Sequence, residues 1–525
     1  MILAPTRREP EEVMLANSSG KSVKTMLKVA AIDVGSNAIR MAVGEVDDSW
    51  KVKAIENIRI PVRLGQDVFT SGKLEETSMQ QTLDVFSRFQ RVARDFDVFR
   101  LRAVATSAIR EAANGRLLAD RINSATGIHV DIIDGDEEAR LIHLAVTHVL
   151  DRKNKRTLLI DIGGGSVEVS LSTGDNIIST GSYKMGTVRL LKILEAKDSP
   201  EQTFSQLIYE YAESARRRIE REIGDERIYV CVGTGGNVEE IGRLRQKLFK
   251  AESDRFITLD ELELLIERLS PMSVEDIARE FKLRPDRADV ILAAAIVLHL
   301  VASLTHVKQI DIPNVGLKDG VLLDIAGELS LAPRPQRREQ VWESALHLGR
   351  KYQFDEEHAV LTSRLAAQLF LQSTSLHNLD ESDLLLLEVG ALLHDIGHFI
   401  NTIDHEKHGH YVLKANHLIG LSESEQNIVA NLVRYHRAKT SPPDDDSFKL
   451  LLQKDRQTVL KLAALLRLAD GLDVGHCGRI AQVTLKQVQN NWQLKLSDNL
   501  LLEKWTIKKR KVLFQDIFGV ILDTE

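Results

Sequence analysis

Apolar residues follow two regimes along this chain. Before Gly320, short β-branched and apolar runs end abruptly in an acid and a glycine. After Leu331, apolar residues return mostly at helical spacing. Val29-Ala30-Ala31-Ile32 predicts a buried strand closed by Asp33 and a Gly35 turn, and the alternating residues 39–46 predict a second strand running back. The same pattern returns as Leu158-Leu159-Ile160, Asp161, the turn Gly163-Gly164-Gly165, and alternating residues 167–171. Residues 101–105 alternate and lead into a helix that Thr106 or Ser107 is placed to cap. Ile132-Ile133 opens another strand–turn–helix unit. The longest apolar stretch, residues 290–304, contains His299; it predicts a buried helix too short to span a bilayer.

The two hairpins form an internal repeat whose aspartates, Asp33 and Asp161, lie 128 residues apart, about one small domain. A duplicated α/β lobe with a cleft between its halves is the architecture this implies. Leu331-Ala332-Pro333-Arg334-Pro335-Gln336-Arg337-Arg338 reads as a linker. Beyond it lie helical residues, and after Gly478 the alternating residues 480–485 and 492–496 predict two short strands. The expected divisions are an N-terminal tail (1–26), lobe I (27–154), lobe II (155–330), a helical domain (331–478) and a small C-terminal α+β domain (479–525).

Composition narrows the class. The chain has 525 residues, 43% hydrophobic and 28% charged, with 11 Pro and 31 Gly, which excludes a disordered or collagen-like protein and exceeds what one core supports. A formal net charge of −7 leaves no chain-wide basic surface, so a phosphate-rich ligand must be gripped locally and no specific nucleic acid is expected. Two cysteines, Cys231 and Cys477, point to a reducing compartment. Residues 1–25 carry Arg7, Arg8, Glu9, Glu11 and Glu12 and lack a signal peptide's apolar block, and Met26 offers an alternative start. A soluble cytoplasmic protein with no membrane association is the expectation.

The hairpin tips carry the first candidate chemistry. Glycines let several backbone N–H groups face one point, which suits a phosphate oxygen, and a carboxylate at a strand end holds Mg²⁺ against that phosphate. Asp161 and Glu168 sit seven apart on the two arms of the second hairpin. Arg110, in the first turns of the helix after residue 105, would supply an anion site. Asp134, Asp136, Glu137 and Glu138 crowd the next helix start, where acids suit the dipole and one of them would serve as general base.

Together these segments resemble the exopolyphosphatase / guanosine pentaphosphate phosphohydrolase (Ppx/GppA) family, within the wider actin-like fold of sugar kinases and Hsp70 ATPases. The carrying segments are Ala31–Asn37, Thr106–Asn114, Gly135–Arg140, Asp161–Ser166, Met185–Leu190 and Gly316–Gly320. The resemblance implies two actin-like (ribonuclease H-like) α/β lobes. It makes Glu138 the general base and sets Asp161, Glu168 and Asp33 around a catalytic Mg²⁺ or Mn²⁺. Ser36, Asn37, Arg40, Gly163, Gly164, Gly165 and Ser166 match phosphate-holding loops. Arg110 and the turn Gly233-Thr234-Gly235 complete the expected substrate site. Val167, Asp134 and Asn237 depart from the residues usual in the family; Asp134 adds negative charge near Glu138 and would raise its pKa.

In the second half, 11 of 16 histidines fall between His347 and His476. His358, His394-Asp395 and Asp470 lie on three predicted helices and can meet around one divalent metal. This resembles the HD phosphohydrolase domain, an all-α fold, and implies a second metal site, for which His405, His408, His410 and His436 offer further ligands. Lys504, Lys508, Lys509, Arg510 and Lys511 form a basic patch near Trp505, read as lysine protection of an edge strand, with a surface that extends a polyphosphate track as the alternative. The expected function is Mg-dependent release of terminal orthophosphate from linear polyphosphate, and of the 5'-terminal phosphate from guanosine pentaphosphate. Alternatives are a dedicated guanosine pentaphosphate phosphohydrolase, an actin-fold kinase, a nucleotide sensor, and an enzyme with two sites. The resemblance also implies a homodimer.

Overall fold

Strands too apolar to leave either face in water must be covered on both, and the chain covers them with its own helices. The computed structural model describes residues 26–47, 50–152, 155–195, 201–224, 226–329, 335–437, 446–489, 491–496 and 500–524. The expected tail, apart from Met26, and linker residues 331–334 lie outside these. The chain divides into two units, Met1–Pro333 and Arg334–Glu525.

The first unit contains two sheets of matching design. In one, β1 (Leu27–Val34), β2 (Ile39–Val46), β3 (Val52–Ile60), β4 (Arg100–Ala105) and β5 (Val130–Ile132) run in the order β3-β2-β1-β4-β5. In the other, β6 (Arg156–Ile162), β7 (Val167–Thr173), β8 (Asn176–Tyr183), β9 (Val230–Thr234), β10 (Phe256–Thr258) and β11 (Gln309–Asp311) run β10-β11-β9-β6-β7-β8. The repeat extends to the pairing: β1 and β6 each pair antiparallel with the next strand and parallel with β4 or β9. Even the irregularities recur: the pairing shifts after Val43 and after Leu171, at the same offset in each copy, leaving one extra residue on the third strand, Ile55 of β3 and Ile178 of β8.

Each sheet has its own core, and a third cluster joins them. Ala31, Leu159 and Val232 pack there with Leu141 and with Val321, Leu322 and Ile325 of the helix Leu317–Leu329. Gly320 allows that contact, because a Cβ there would lie 1.9 Å from the Leu141 carbonyl oxygen. The apolar stretch at 290–304 forms the helix Ile291–Ala302, buried nearly all round. The helical run Pro285–Thr305 is long and apolar enough to cross a membrane, but 72% of its most apolar window is buried inside the unit. Arg216 and Arg217 pair with Glu213 along the helix Glu201–Ile223, an ordinary helix-face arrangement.

The second unit is built on the helices Pro335–Lys351, Glu356–Gln372, Glu381–Leu392, His405–Ala415, Glu423–Tyr435, Gln453–Gly471 and Leu501–Phe518. The two expected strands form β12 (Thr484–Val488) and β13 (Asn491–Lys495), joined by β14 (Leu522–Thr524). Leu485, Trp492, Leu494, Phe514 and Leu522 share one apolar core with Leu387, Leu432 and Leu466, so residues 479–525 pack in the same unit as the helices before them. The basic residues 504–511 lie on the helix Leu501–Phe518 and not on an edge strand; Lys509 stands over the Trp505 ring at 3.5 Å.

Candidate active site

Residues directly opposed in an antiparallel pair project from the same face. That rule, applied to the repeat, yields two different tips. In the first copy Asp33 opposes Arg40, and Arg40 Nη1 donates to Asp33 Oδ2 at 2.9 Å. In the second Asp161 opposes Glu168, two acids where the first copy has an ion pair. The helix Gly135–Val149 adds the third acid. Its N-cap Asp134 accepts from Glu137 N at 2.9 Å, Asp136 accepts from Thr180, and Glu137 pairs with Arg140 and Arg102. Of the four acids at that helix start, only Glu138 joins the Asp161–Glu168 pair.

Glu138, Asp161 and Glu168 bring carboxylate oxygens within 4.8 Å of one another, and all three are buried. Glu138 Oε2 and Glu168 Oε2 have no hydrogen-bond partner. Burial, then the charge of Glu168, pushes the Glu138 carboxyl well above its usual range, against the pull of Arg110 3.7 Å away. Asp134 is occupied in capping and is not the source of that shift. Burial and Asp161 lift Glu168 to about 7, and burial lifts Asp161 to about 6 despite a 2.6 Å hydrogen bond from Thr234 Oγ1. Three buried acids, two of them with an oxygen that has no hydrogen-bond partner, are the donor set of a hard divalent cation. Asp33 lines the same cavity but is committed to Arg40.

Glu138 and Asp161 of this cluster line a cavity of about 650 Å³. Ser36, Asn37, Arg40, Gly163, Gly164, Ser166 and Gly235 line it, while Arg110, Gly165, Gly233 and Thr234 stand behind its walls. Arg110 donates to the Ile133 carbonyl at 2.6 Å and faces Glu138 at 3.7 Å. Gly233 packs against Val238 and Ile310. The glycine turn is held by the Met185–Leu190 segment: Thr187 N donates to Gly163 O, and Val188 N and Arg189 N to Gly164 O. Gly235, at φ 100°, takes a backbone only glycine tolerates easily, and a Cβ there would lie 2.5 Å from Ile162 O.

Isolated arginines on the sequence gave no warning of the basic wall. Arg59, Arg243, Lys282, Arg284 and Arg287 line the cavity beside Arg40. Burial, then the neighbouring charges of Arg40 and Arg59, lowers Arg287 to about 10. Asn237 Oδ1 accepts from Arg287, and Asn237 Nδ2 donates to Thr187 Oγ1 at 3.1 Å. Arg59 bonds Asp286 at 2.5 Å and Asn37 Nδ2 donates to the Asp286 carbonyl at 3.0 Å, so both lobes of the unit contribute to this wall.

In the second unit His358, His394 and Asp395 present ligand atoms within 4.8 Å of one another. Asp470 Oδ1 lies 3.9 Å from His394 Nε2, while its other oxygen accepts from Arg510. His398, His405 and His436 also surround Asp395; His408 and His410 stand outside these clusters. Asp473, unmarked in the sequence reading, accepts from His358 Nδ1 at 2.8 Å.

The model of the Ppx/GppA phosphatase family matches residues 43–329, and that of Ppx/GppA phosphatase domain III, rather than an HD domain, matches residues 342–510. A guanosine-5'-triphosphate,3'-diphosphate pyrophosphatase of Photobacterium profundum is 28% identical over 451 residues, 84% of this chain and 85% of the relative. Two solved structures share the fold over 58% of this chain and all of theirs. They are an Aquifex aeolicus member of the Ppx/GppA family (24% identity, TM-score 0.51) and an exopolyphosphatase from Cytophaga hutchinsonii (22%, TM-score 0.54).

Proposed function

The chain belongs to the Ppx/GppA phosphatase family, enzymes that hydrolyse phosphoanhydride bonds, and from that premise we propose that its α/β cleft removes the terminal phosphoryl group from a linear phosphoanhydride chain. The observation that carries this reading is the cluster Glu138, Asp161 and Glu168, of which Glu138 and Asp161 line a cavity with a basic wall. The row of cations favours linear polyphosphate. The similarity to the P. profundum pyrophosphatase, which extends along most of its length, favours guanosine pentaphosphate as a second substrate.

Asp161 and Glu168 would hold Mg²⁺ or Mn²⁺. When bound, the ion offsets the negative charge on the substrate's phosphate oxygens. Arg40, Arg59 and Arg287 draw the chain of phosphates along the wall, and the Gly163–Ser166 turn, tied back through its carbonyls, positions the terminal group. Glu138 accepts the proton of a water as its oxygen bonds to phosphorus; the bridging oxygen leaves with the bond's electron pair, giving orthophosphate and a chain one unit shorter. Kinase and sensor readings have less support, since the three acids and the glycine turn serve hydrolysis directly. The helical unit is proposed to hold one divalent ion through His358, His394, Asp395 and Asp470, in the manner of an HD domain. A homodimer and a cytoplasmic location complete the proposal.

The test is orthophosphate release from long polyphosphate, short polyphosphate and guanosine pentaphosphate, measured side by side with Mg²⁺. Glu138→Gln should bind substrate as before and lose at least about 100-fold in kcat. Release from none of the three substrates, or an unaffected Glu138→Gln, refutes the proposal.

A further inference from the structure

The helical unit contains more metal-donor chemistry than one ion uses. Among the described residues, two three-residue clusters meet there, His358/His394/Asp395 and Asp395/His398/His405, and they share Asp395. The two oxygens of that carboxylate face different partners. Oδ2 lies 3.5 Å from His394 Nε2, whereas Oδ1 lies 3.1 Å from His405 Nε2 and 3.5 Å from both His398 and His436 Nε2.

The tautomers of the imidazoles follow from their other contacts. His394 Nδ1 sits 2.7 Å from the Ala391 carbonyl, His436 Nδ1 2.7 Å from the Val433 carbonyl, and His405 Nδ1 3.2 Å from the Thr402 carbonyl. A carbonyl only accepts, so Nδ1 carries the proton in each ring and Nε2 carries the lone pair. His358 Nδ1 meets Asp473 Oδ2, while Asp473 Oδ1 accepts from the backbone N–H groups of Cys477 and Gly478. That carboxylate also only accepts, which sets the same tautomer in His358. Four buried Nε2 lone pairs therefore confront one another two by two, His358 to His394 at 3.3 Å and His405 to His436 at 3.1 Å. In neutral rings neither pair has a donor to share. A cation in each gap, with Asp395 between them, removes the conflict, and the Nδ1 bonds are the supporting contacts that orient metal-ligating histidines.

We propose that the helical unit holds a dinuclear centre: one ion on His358, His394 and Asp470, a second on His398, His405 and His436, and Asp395 bridging the two. This deepens the one-ion reading above and is independent of catalysis in the α/β cleft. The mixed imidazole–carboxylate donors select first-row transition ions such as Mn²⁺, Fe²⁺, Co²⁺ or Zn²⁺, in contrast to the all-oxygen cleft, which suits Mg²⁺.

The test uses the full chain with Asp161→Asn and Glu168→Gln, which take away the cleft ligands. The protein is stripped with chelator, loaded with Mn²⁺, desalted, and assayed for metal per chain and by electron paramagnetic resonance. Two ions with an exchange-coupled spectrum are expected. His405→Gln or His436→Gln, each checked for native circular dichroism, should reduce the content to one ion and leave the six-line spectrum of isolated Mn²⁺; Asp395→Asn should lose both ions. One ion with a six-line spectrum in the histidine-intact chain overturns the dinuclear centre and leaves the single-ion reading standing. No ion overturns both, and neither result depends on a histidine variant folding.

Discussion

Replacing Glu168 with Gln removes one charge from the buried acidic cluster while keeping its shape and an oxygen for Ser182, whose Oγ donates to Glu168 Oε1 at 2.8 Å. In the metal-free protein Glu168 is raised from 4.5 to about 7, mainly by burial. A raised carboxyl favours the protonated folded state, so the native chain holds more protons than the unfolded one between about pH 4.5 and pH 7. Its stability is full below that window and falls as pH rises through it. At about 1.4 kcal/mol per pH unit, ionised Glu168 costs the metal-free fold about 3 kcal/mol at pH 8. Glu168→Gln should therefore melt higher than wild type at pH 8 without metal, by roughly 5 °C for a unit of this size, and the gap should close by pH 4. Metal at about 1,000 times its dissociation constant stabilises wild type by about 4 kcal/mol and reverses the order, while the variant loses turnover. Scanning calorimetry of the α/β transition at pH 4 and pH 8, with chelator and with Mg²⁺, reads all four states. A variant less stable than wild type without metal at pH 8, or equally shifted at both pH values, refutes the claim that the cluster is built around a cation.

Two further substitutions probe the walls of the same cavity. Gly186→Ala places a Cβ 2.3 Å from the Gly165 carbonyl carbon, so backbone must move; we expect a loss of about 1–3 kcal/mol in a denaturant melt and a fall in kcat/KM from the displaced phosphate turn. Arg287→Met removes a buried guanidinium crowded by Arg40 and Arg59; KM for the anionic substrate should rise about tenfold with a smaller change in kcat, and the salt dependence of kcat/KM should weaken, all measurable in a steady-state phosphate-release series.

Much of the α/β unit is legible in the amino-acid order because its strands announce themselves. Uncharged runs such as Val29–Ile32 admit few placements, and a 128-residue repeat forces the same solution twice, down to the bulges. The Asp161–Glu168 pairing follows from two strands and a short turn, a local matter. Tertiary structure decided the rest. It selected Glu138 from four neighbouring acids, since only the packing of the helix Gly135–Val149 against β7 and β8 determines which carboxylate is buried with Glu168. It turned Arg110 toward the Ile133 carbonyl and packed Gly233 against Val238 and Ile310. Arg59 and Arg287, 228 positions apart, became one wall only through lobe packing. The histidines show the same division: the residue types were plain along the chain, but which nitrogen keeps its proton, and how Asp395 divides its oxygens, depends on carbonyls and helices that meet only in the folded unit. Short-range order comes from periodicity and turn chemistry, whereas a site's charge balance comes from side chains brought together across long separations.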